Sequence, residues 1–260
     1  MYIFRSINTN ILKVSIITVV YNNEFTIADA IESVLSQDYN DIEYIIVDGN
    51  STDRTLSIVN QYRDRITKII SEKDNGIYDA MNKGIHSATG DIIGILNSDD
   101  LYNDRYVISN VVETFYDKPD IGAIYGDLYY VDAKNPQKIV RHWVSKLYYN
   151  NFFEDGEVPP HPTFFIKRTI YDEVKVFDLT YKLAADYDLM FRILKVNSIK
   201  SYHVNRVLVR MRLGGATNKN LKNIFRGNKE IINIWSKYNY KIPVKFFINR
   251  YAKKIYQHFR

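Results

Sequence analysis

The 260-residue chain contains no cysteine. That excludes disulfides, thiolate catalysis and every cysteine-based zinc site, and it fits a reducing compartment. No run approaches the ~18–20 apolar residues of a membrane span, and the N-terminus lacks the apolar core of a secretory signal. A cytoplasmic home is therefore expected. Glycine-rich phosphate loops are missing too. After the first apolar run the chain reads VYNNEFT (20–26), with neither G-x-G-x-x-G nor G-x-x-x-x-G-K-[ST]. A dinucleotide-binding dehydrogenase or P-loop NTPase is thereby disfavoured, because both seat phosphate on such a loop at a helix N-terminus.

What is present is an ordinary globular composition, 46% hydrophobic and 25% charged, long enough for one large core. The net charge of +5 is unevenly spread. From Lys222 to Arg260 there are ten Lys/Arg and one acid, Glu230, which leaves 25 basic and 29 acidic residues before it. A mildly acidic body argues against nucleic acid as a partner, and the basic tail needs its own explanation.

The first half alternates in period. VSIITVV (14–20), EYIIVD (43–48), ITKIIS (66–71) and DIIGILN (91–97) read as buried strands. Between and after them, 25–37, 51–62, 77–88 and 104–116 read as helices, with Ser51 and Thr52 as N-cap candidates for the second. This alternation implies a mostly parallel sheet covered on both faces. From Ile121 the pattern changes. IGAIYGDLYYVD (121–132) and KIVRHWV (138–144) read as an antiparallel pair, and 145–160 as a loop. TFFIKR (163–168) reads as a strand and DYDLMFRILKV (186–196) as a helix. The expected division is a catalytic domain over 1–220 and a helical tail over 221–260.

Ligands of open parallel sheets bind beyond the carboxyl ends of the strands. Those ends carry Tyr21-Asn22, Asp48, Asp74 and Asp99-Asp100. Asp48 in VDGNST and Asp74 in DNG each have an adequate explanation in turn chemistry. The adjacent pair in NSDD is harder to explain that way, since like charges repel and the nearest basic residue in sequence is Arg105. If this acidic rim binds a diphosphate, a hard divalent cation must bridge carboxylate and phosphate oxygens, which points to Mg²⁺ or Mn²⁺. His86, His142, His203 and His258 show no paired metal-ligand spacing and are read as structural, as is His161 between its two prolines.

VSIITVVYNNEFTIADAIESVLSQDYNDIEYIIVDGNSTDRT, SEKDNGIYDAMNKGIHSATGDIIGILNSDD and ADYDLMFRI, in that order, resemble the family 2 glycosyltransferases. The similarity covers about residues 12–217. It implies the GT-A fold: a mostly parallel central sheet with helices on both faces and small antiparallel elements on the acceptor side, followed in this chain by the helical tail. It also implies inverting transfer from a nucleotide-diphospho-sugar, with UDP the preferred nucleotide. The acceptor would be a hydroxyl of a saccharide or lipid-linked acceptor, as in surface-glycan assembly. By the resemblance Tyr21 and Asp48 contact nucleobase and ribose, and Asp74 lines the donor pocket. Asp99 and Asp100 form the D-x-D-type element, Asp100 as the direct metal ligand and Asp99 shared between metal and donor ribose. Asp186 is the catalytic base. Two departures stand out. Ala185 replaces the acid that often precedes the base, and VRMRLGGATN (209–218) lacks the histidine that many members place after the last core strand. The rival readings are a nucleotidyltransferase on a similar sheet and an inactive nucleotide-sugar-binding scaffold.

Helical spacing separates the two acids of ADYDLMFRI. At 100° per residue, Leu183, Tyr187, Met190, Phe191 and Leu194 share the buried face and Asp186 lies on its flank, where partial desolvation favours a general base. Asp188 projects away, beside Arg192, as a solvated i, i+4 pair. In the tail, Val244, Phe247, Ile248, Tyr251, Ile255 and Phe259 recur on one face with lysines elsewhere. That face is expected either to lie on an anionic cytoplasmic leaflet or to pack on the catalytic domain.

Overall fold

The computed structural model describes residues 11–214 and 221–256; His258, Phe259 and the 215–220 junction lie outside them. Strand β1 (Val14–Val20) is buried along its whole length, because parallel strands sit on both sides of it and helices cover both faces. β2 (Ile42–Asp48) runs beside it in step, from Val14 opposite Ile42 to Val20 opposite Asp48. β3 (Lys68–Ser71) and β4 (Ile92–Ile95) extend the parallel part outward, and Ser71 stands opposite Asp48. Helices α1 (Ile27–Leu35), α2 (Thr55–Gln61), α3 (Ile77–Ser87) and α4 (Val107–Asp117) alternate with these strands. Side chains of β1 divide by pleat. Val14, Ile16 and Val20 enter the core under α1, α2 and α4, whereas Ile17 and Val19 enter the core on the α3 side.

Beyond β4 the sheet turns mixed, in the order β3-β2-β1-β4-β8-β6-β9-β5. β6 (Ala123–Val131) and β7 (Ile139–Trp143) form the expected antiparallel pair. β8 (Phe165–Lys167) lies antiparallel between β4 and β6 and leads into α5 (Arg168–Val174). Two strands escaped the sequence reading. β5 (Leu101–Tyr102) is two residues long. β9 (Ser201–Arg212) runs parallel to β6, but its register slips on both sides of Asp127, so no clean alternation marks it. β5 pairs with β9, Leu101 opposite Arg210, which draws the NSDD turn against the end of β9.

Helix α6 (Ala185–Phe191) continues into a π-type turn over Arg192–Val196. Residues 187–194 are all buried, so the expected split into buried and solvated faces does not hold. The second covering layer explains this. α7 (Leu221–Lys237) and α8 (Val244–Tyr256) place Ile231, Ile234, Trp235 and Phe246 in the same buried cluster as Tyr187, Phe191 and Phe153. Burying an apolar side chain of this size contributes about 1.5–3 kcal/mol. Much of the aromatic content therefore sits where α6 meets the tail.

Candidate active site

Three loops at the carboxyl ends of β1, β2 and β4 are bonded into one surface. The Asn22 amide donates to the Ser51 hydroxyl, and its side-chain oxygen accepts from the Thr52 amide, both at 2.8 Å. Ser51 and Thr52 thus tie loops together instead of capping α2, which starts at Thr55. Asn22 reaches this position with φ at 47°, a left-handed conformation that Asn tolerates. Asn23 Nδ2 donates to the Ser98 hydroxyl at 2.9 Å, and the Thr26 hydroxyl donates to the Ser98 carbonyl at 2.9 Å. The YNNEFT loop is the clamp that joins the other two.

On this surface Tyr21, Asp48 and Asp74 converge at Gly49. A Cβ built there would stand 2.4 Å from Asp74 Oδ2 and 3.4 Å from Tyr21 Cδ2, so any side chain at 49 would displace the carboxylate. Tyr21 is 62% exposed, an aromatic ring presented to solvent at the mouth of the site. Asp48 is fully buried; its carboxylate accepts from the Ser51 amide at 3.2 Å and the Ser71 hydroxyl at 2.7 Å. Asp74 Oδ1 accepts from the Gly76 amide at 2.8 Å in the turn that starts α3, and Gly76 needs its φ of 117°. Turn chemistry and a place in the cluster are both true of these acids.

The NSDD turn differs from its sequence-level reading. Asp100 is 1% exposed, with Oδ2 accepting from Asn97 Nδ2 at 3.1 Å and Oδ1 from the Arg212 amide at 3.3 Å. It is a buried group, not a rim acid. Burial, with the Asp99 charge beside it, holds its carboxyl well above the usual carboxylate range. Nor is the turn without a cation. Arg212, 112 residues away, donates from Nη1 to the Asp99 carbonyl at 2.8 Å and from Nη2 to Asp29. Asp99 is half-buried, and Asn97 Oδ1 is buried with no hydrogen-bond partner. The Asp99 and Asp100 side chains and the orphaned Asn97 amide oxygen are hard oxygen donors, the kind that Mg²⁺ or Mn²⁺ takes.

Asp186 sits in the first turn of α6, half-buried, where Oδ1 accepts from the Tyr78 hydroxyl at 3.1 Å. Tyr78 stands four residues after Asp74, so this bond links the base candidate to the donor-side turn. Burial and the Asp186 charge push the Tyr78 phenol well up, which keeps it a donor. Phe177 stacks on Tyr78 at 5.5 Å and meets the His161 ring edge-on at 5.9 Å. Burial lowers the His161 pKa, and the nearby Asp186 charge opposes that shift. Asp188, by contrast, is fully buried. It pairs with Arg192 at 2.7 Å and accepts from the Tyr238 hydroxyl at 3.0 Å, while Arg192 also donates to the carbonyls of Val174, Lys175 and Val176. The i, i+4 pair is as read, but it is an internal tie between α6, the end of α5 and α7. His142 and His203 both face Asp127 in the sheet, at 3.5 and 2.9 Å.

The sequence profile of Glycosyl transferase family 2 matches residues 15–181. The chain belongs to that family. A glycosyltransferase of Rickettsia typhi is 30% identical over 219 residues, 82% of this chain and 68% of that one. A glycosyltransferase of PGL/p-HBAD biosynthesis from Mycobacterium bovis is 26% identical over 181 residues, 68% of each chain. Among solved structures, the Pyrobaculum calidifontis mannosyltransferase in complex with GDP-Man and Mn²⁺ aligns with a TM-score of 0.66 at 19% identity. It covers 94% of this chain and 70% of that one. Staphylococcus aureus TarS 1–349 in complex with UDP-GlcNAc aligns at 0.66 and 18%, covering 93% and 73%. The fold is therefore GT-A, and the protein is a glycosyltransferase.

Proposed function

We propose that this glycosyltransferase moves a sugar, with inversion, from a UDP-sugar to a hydroxyl of a saccharide or lipid-linked acceptor in surface-glycan assembly. The observation that carries the reading is the Tyr78–Asp186 bond. It ties a carboxylate on α6 to the helix that begins at the Asp74 turn, and Asp74 itself meets Tyr21 and Asp48 at Gly49. Tyr21 and Asp48 contact the nucleobase and ribose, Asp74 lines the donor pocket, and Asp99 helps position the donor ribose. Asp99 and Asp100, with the Asn97 amide oxygen at hand, would hold Mg²⁺ or Mn²⁺. When bound, that cation neutralises charge developing on the leaving diphosphate. Asp186 takes the proton of the attacking hydroxyl, the bond to the anomeric carbon forms, and the nucleoside diphosphate leaves from the opposite side. General-base assistance of this kind is worth about 10²–10⁴ in rate. Neighbours of the same fold bound to GDP-Man with Mn²⁺ and to UDP-GlcNAc, and a relative named for PGL/p-HBAD biosynthesis, support the donor class and the setting.

Contact with an anionic cytoplasmic leaflet belongs to the same proposal. Among the described residues no helix is long and apolar enough to cross a membrane. α8 turns Phe246 into the core, yet leaves Val244 77% and Ile248 63% exposed one turn apart, with Lys241 and Lys245 beside them. Nucleotide release from a panel of nucleotide-sugars, with added Mn²⁺ and with excess chelator, tests the reaction. Metal-dependent release from a UDP-sugar is expected. No release from any donor would leave the inactive scaffold, and pyrophosphate release from a nucleoside triphosphate and a sugar phosphate would mark a nucleotidyltransferase.

A further inference from the structure

Glu230 is the one acid of the basic C-terminal region and lies in the middle of α7, yet it is only 8% exposed. Its Oε2 accepts from three successive backbone amides, Lys182 at 3.1 Å, Leu183 at 2.8 Å and Ala184 at 3.0 Å. Its Oε1 accepts from Arg226 Nε at 3.2 Å. These amides lead directly into α6, whose N-cap position is Ala184, a residue with no side chain able to cap. Successive amides turned to one point make an anion-binding concavity. Here the anion comes from the protein's own distant helix, 46 residues on from Ala184.

The same helix holds the far side of the base. Trp235 Nε1 donates to the Tyr187 hydroxyl at 2.9 Å, and the Tyr238 hydroxyl just beyond α7 donates to Asp188 at 3.0 Å. Ala184, Tyr187 and Asp188 bracket Asp186 in the chain. Each is bonded to α7 or the residue that follows it, while Asp186 itself is bonded from the front by Tyr78. A Cβ at Gly227, one turn before Glu230, would meet nothing nearer than Leu183 Cβ at 3.9 Å, so the approach of α7 to this segment does not depend on the glycine.

We propose that Glu230 is a positioning residue for the transfer reaction: its carboxylate gathers the 182–184 amides and fixes the start of α6, so that Asp186 meets the acceptor hydroxyl. α7 is then a working part of the active site. This rests on Asp186 acting as the base. A misplacement of about 1 Å in such a group is enough to cost ~10² in rate, so the effect of losing Glu230 falls on turnover and not on donor binding.

The test compares the full chain with E230A and E230Q. Amide exchange of the 178–190 segment is followed by mass spectrometry, UDP–Mn²⁺ affinity by calorimetry, and kcat and KM with whichever donor the wild type uses. E230A is expected to exchange faster at 182–184 and to lose at least ~10-fold in kcat, with UDP affinity within about twofold. E230Q retains an acceptor oxygen and is expected to recover most of the loss, which also keeps the test open if E230A folds poorly. Unchanged exchange, unchanged kcat despite faster exchange, or a loss confined to UDP affinity would each overturn the proposal. If the wild type turns over no donor, the function fails separately, and the exchange arm decides whether Glu230 orders this segment.

Discussion

The Tyr78 hydroxyl donates to Oδ1 of Asp186 across 3.1 Å, joining residues 108 apart in sequence. Asp186 is thereby oriented from α3, the helix that starts at the Asp74 turn. Asp186→Asn is expected to lower turnover by at least ~10², with UDP affinity nearly unchanged. Tyr78→Phe keeps the ring stacked on Phe177 and removes only the bond. About a tenfold fall in kcat at constant UDP affinity is expected. Steady-state kinetics beside calorimetry checks both, and full activity in Asp186→Asn would move the base elsewhere.

The metal site calls for two substitutions with different outcomes. Asp99 is half-buried, so Asp99→Asn is expected to weaken Mn²⁺-dependent nucleotide release with little change in thermal stability. Asp100 is buried between the Asn97 side chain and the Arg212 amide, two donors. In Asp100→Asn the new amide nitrogen must face one of them, at a cost of about 1–3 kcal/mol. That variant should lose metal dependence and melt earlier. Activity that persists for both proteins in excess chelator would remove the cation from the account.

Asp188 gives the contrast that isolates the base. Its partner Arg192 is 8% exposed and also holds three carbonyls at the end of α5. Asp188→Ala strands that guanidinium, and removing one member of a buried pair costs about 3–5 kcal/mol. The expected signature is a large drop in denaturant midpoint, where Asp186→Asn shows almost none. Equal stability of the two variants would refute the assignment of Asp188 as an internal tie.

The ends of β1, β2 and β4, and with them Tyr21, Asp48 and Asp99-Asp100, are legible because these buried strands leave apolar runs that stop there. β3 before Asp74 is a partly exposed edge strand, and the turn residues DNG mark its end instead. Tyr78 and Arg212 are not legible, since each meets its partner only through long-range packing, across 108 and 112 residues. Asp188 was misplaced for a related reason. A helical wheel shows one helix, and the face that looked solvated is covered by Lys237 and Tyr238. β9 was hidden by the register slips around Asp127, which break the alternation a strand shows in sequence. The tail reads as a basic helical segment, and the burial of its Trp235 and Phe246 in the core follows only from tertiary packing.

That tail supplies the last test. The apolar face read in α8 divides in the structure. Phe247 is half-buried beside the fully buried Phe246, while Val244 and Ile248 point outward. Glu230 is buried against α6, so no carboxylate of the described α7 and α8 residues is presented to solvent. Lys245 reaches Asp155 at 2.7 Å but keeps half of its side chain exposed. Each basic residue near an anionic leaflet contributes about 1 kcal/mol, and this part is weakened by salt. The protein is therefore expected to sediment with phosphatidylglycerol-containing vesicles at low salt and not with pure phosphatidylcholine. Val244→Ser with Ile248→Ser leaves the core untouched and removes the inserted side chains, so bound protein should fall about tenfold or more. Neutral and anionic vesicles binding alike, or a double variant that binds as the wild type does, would show that this face meets water alone.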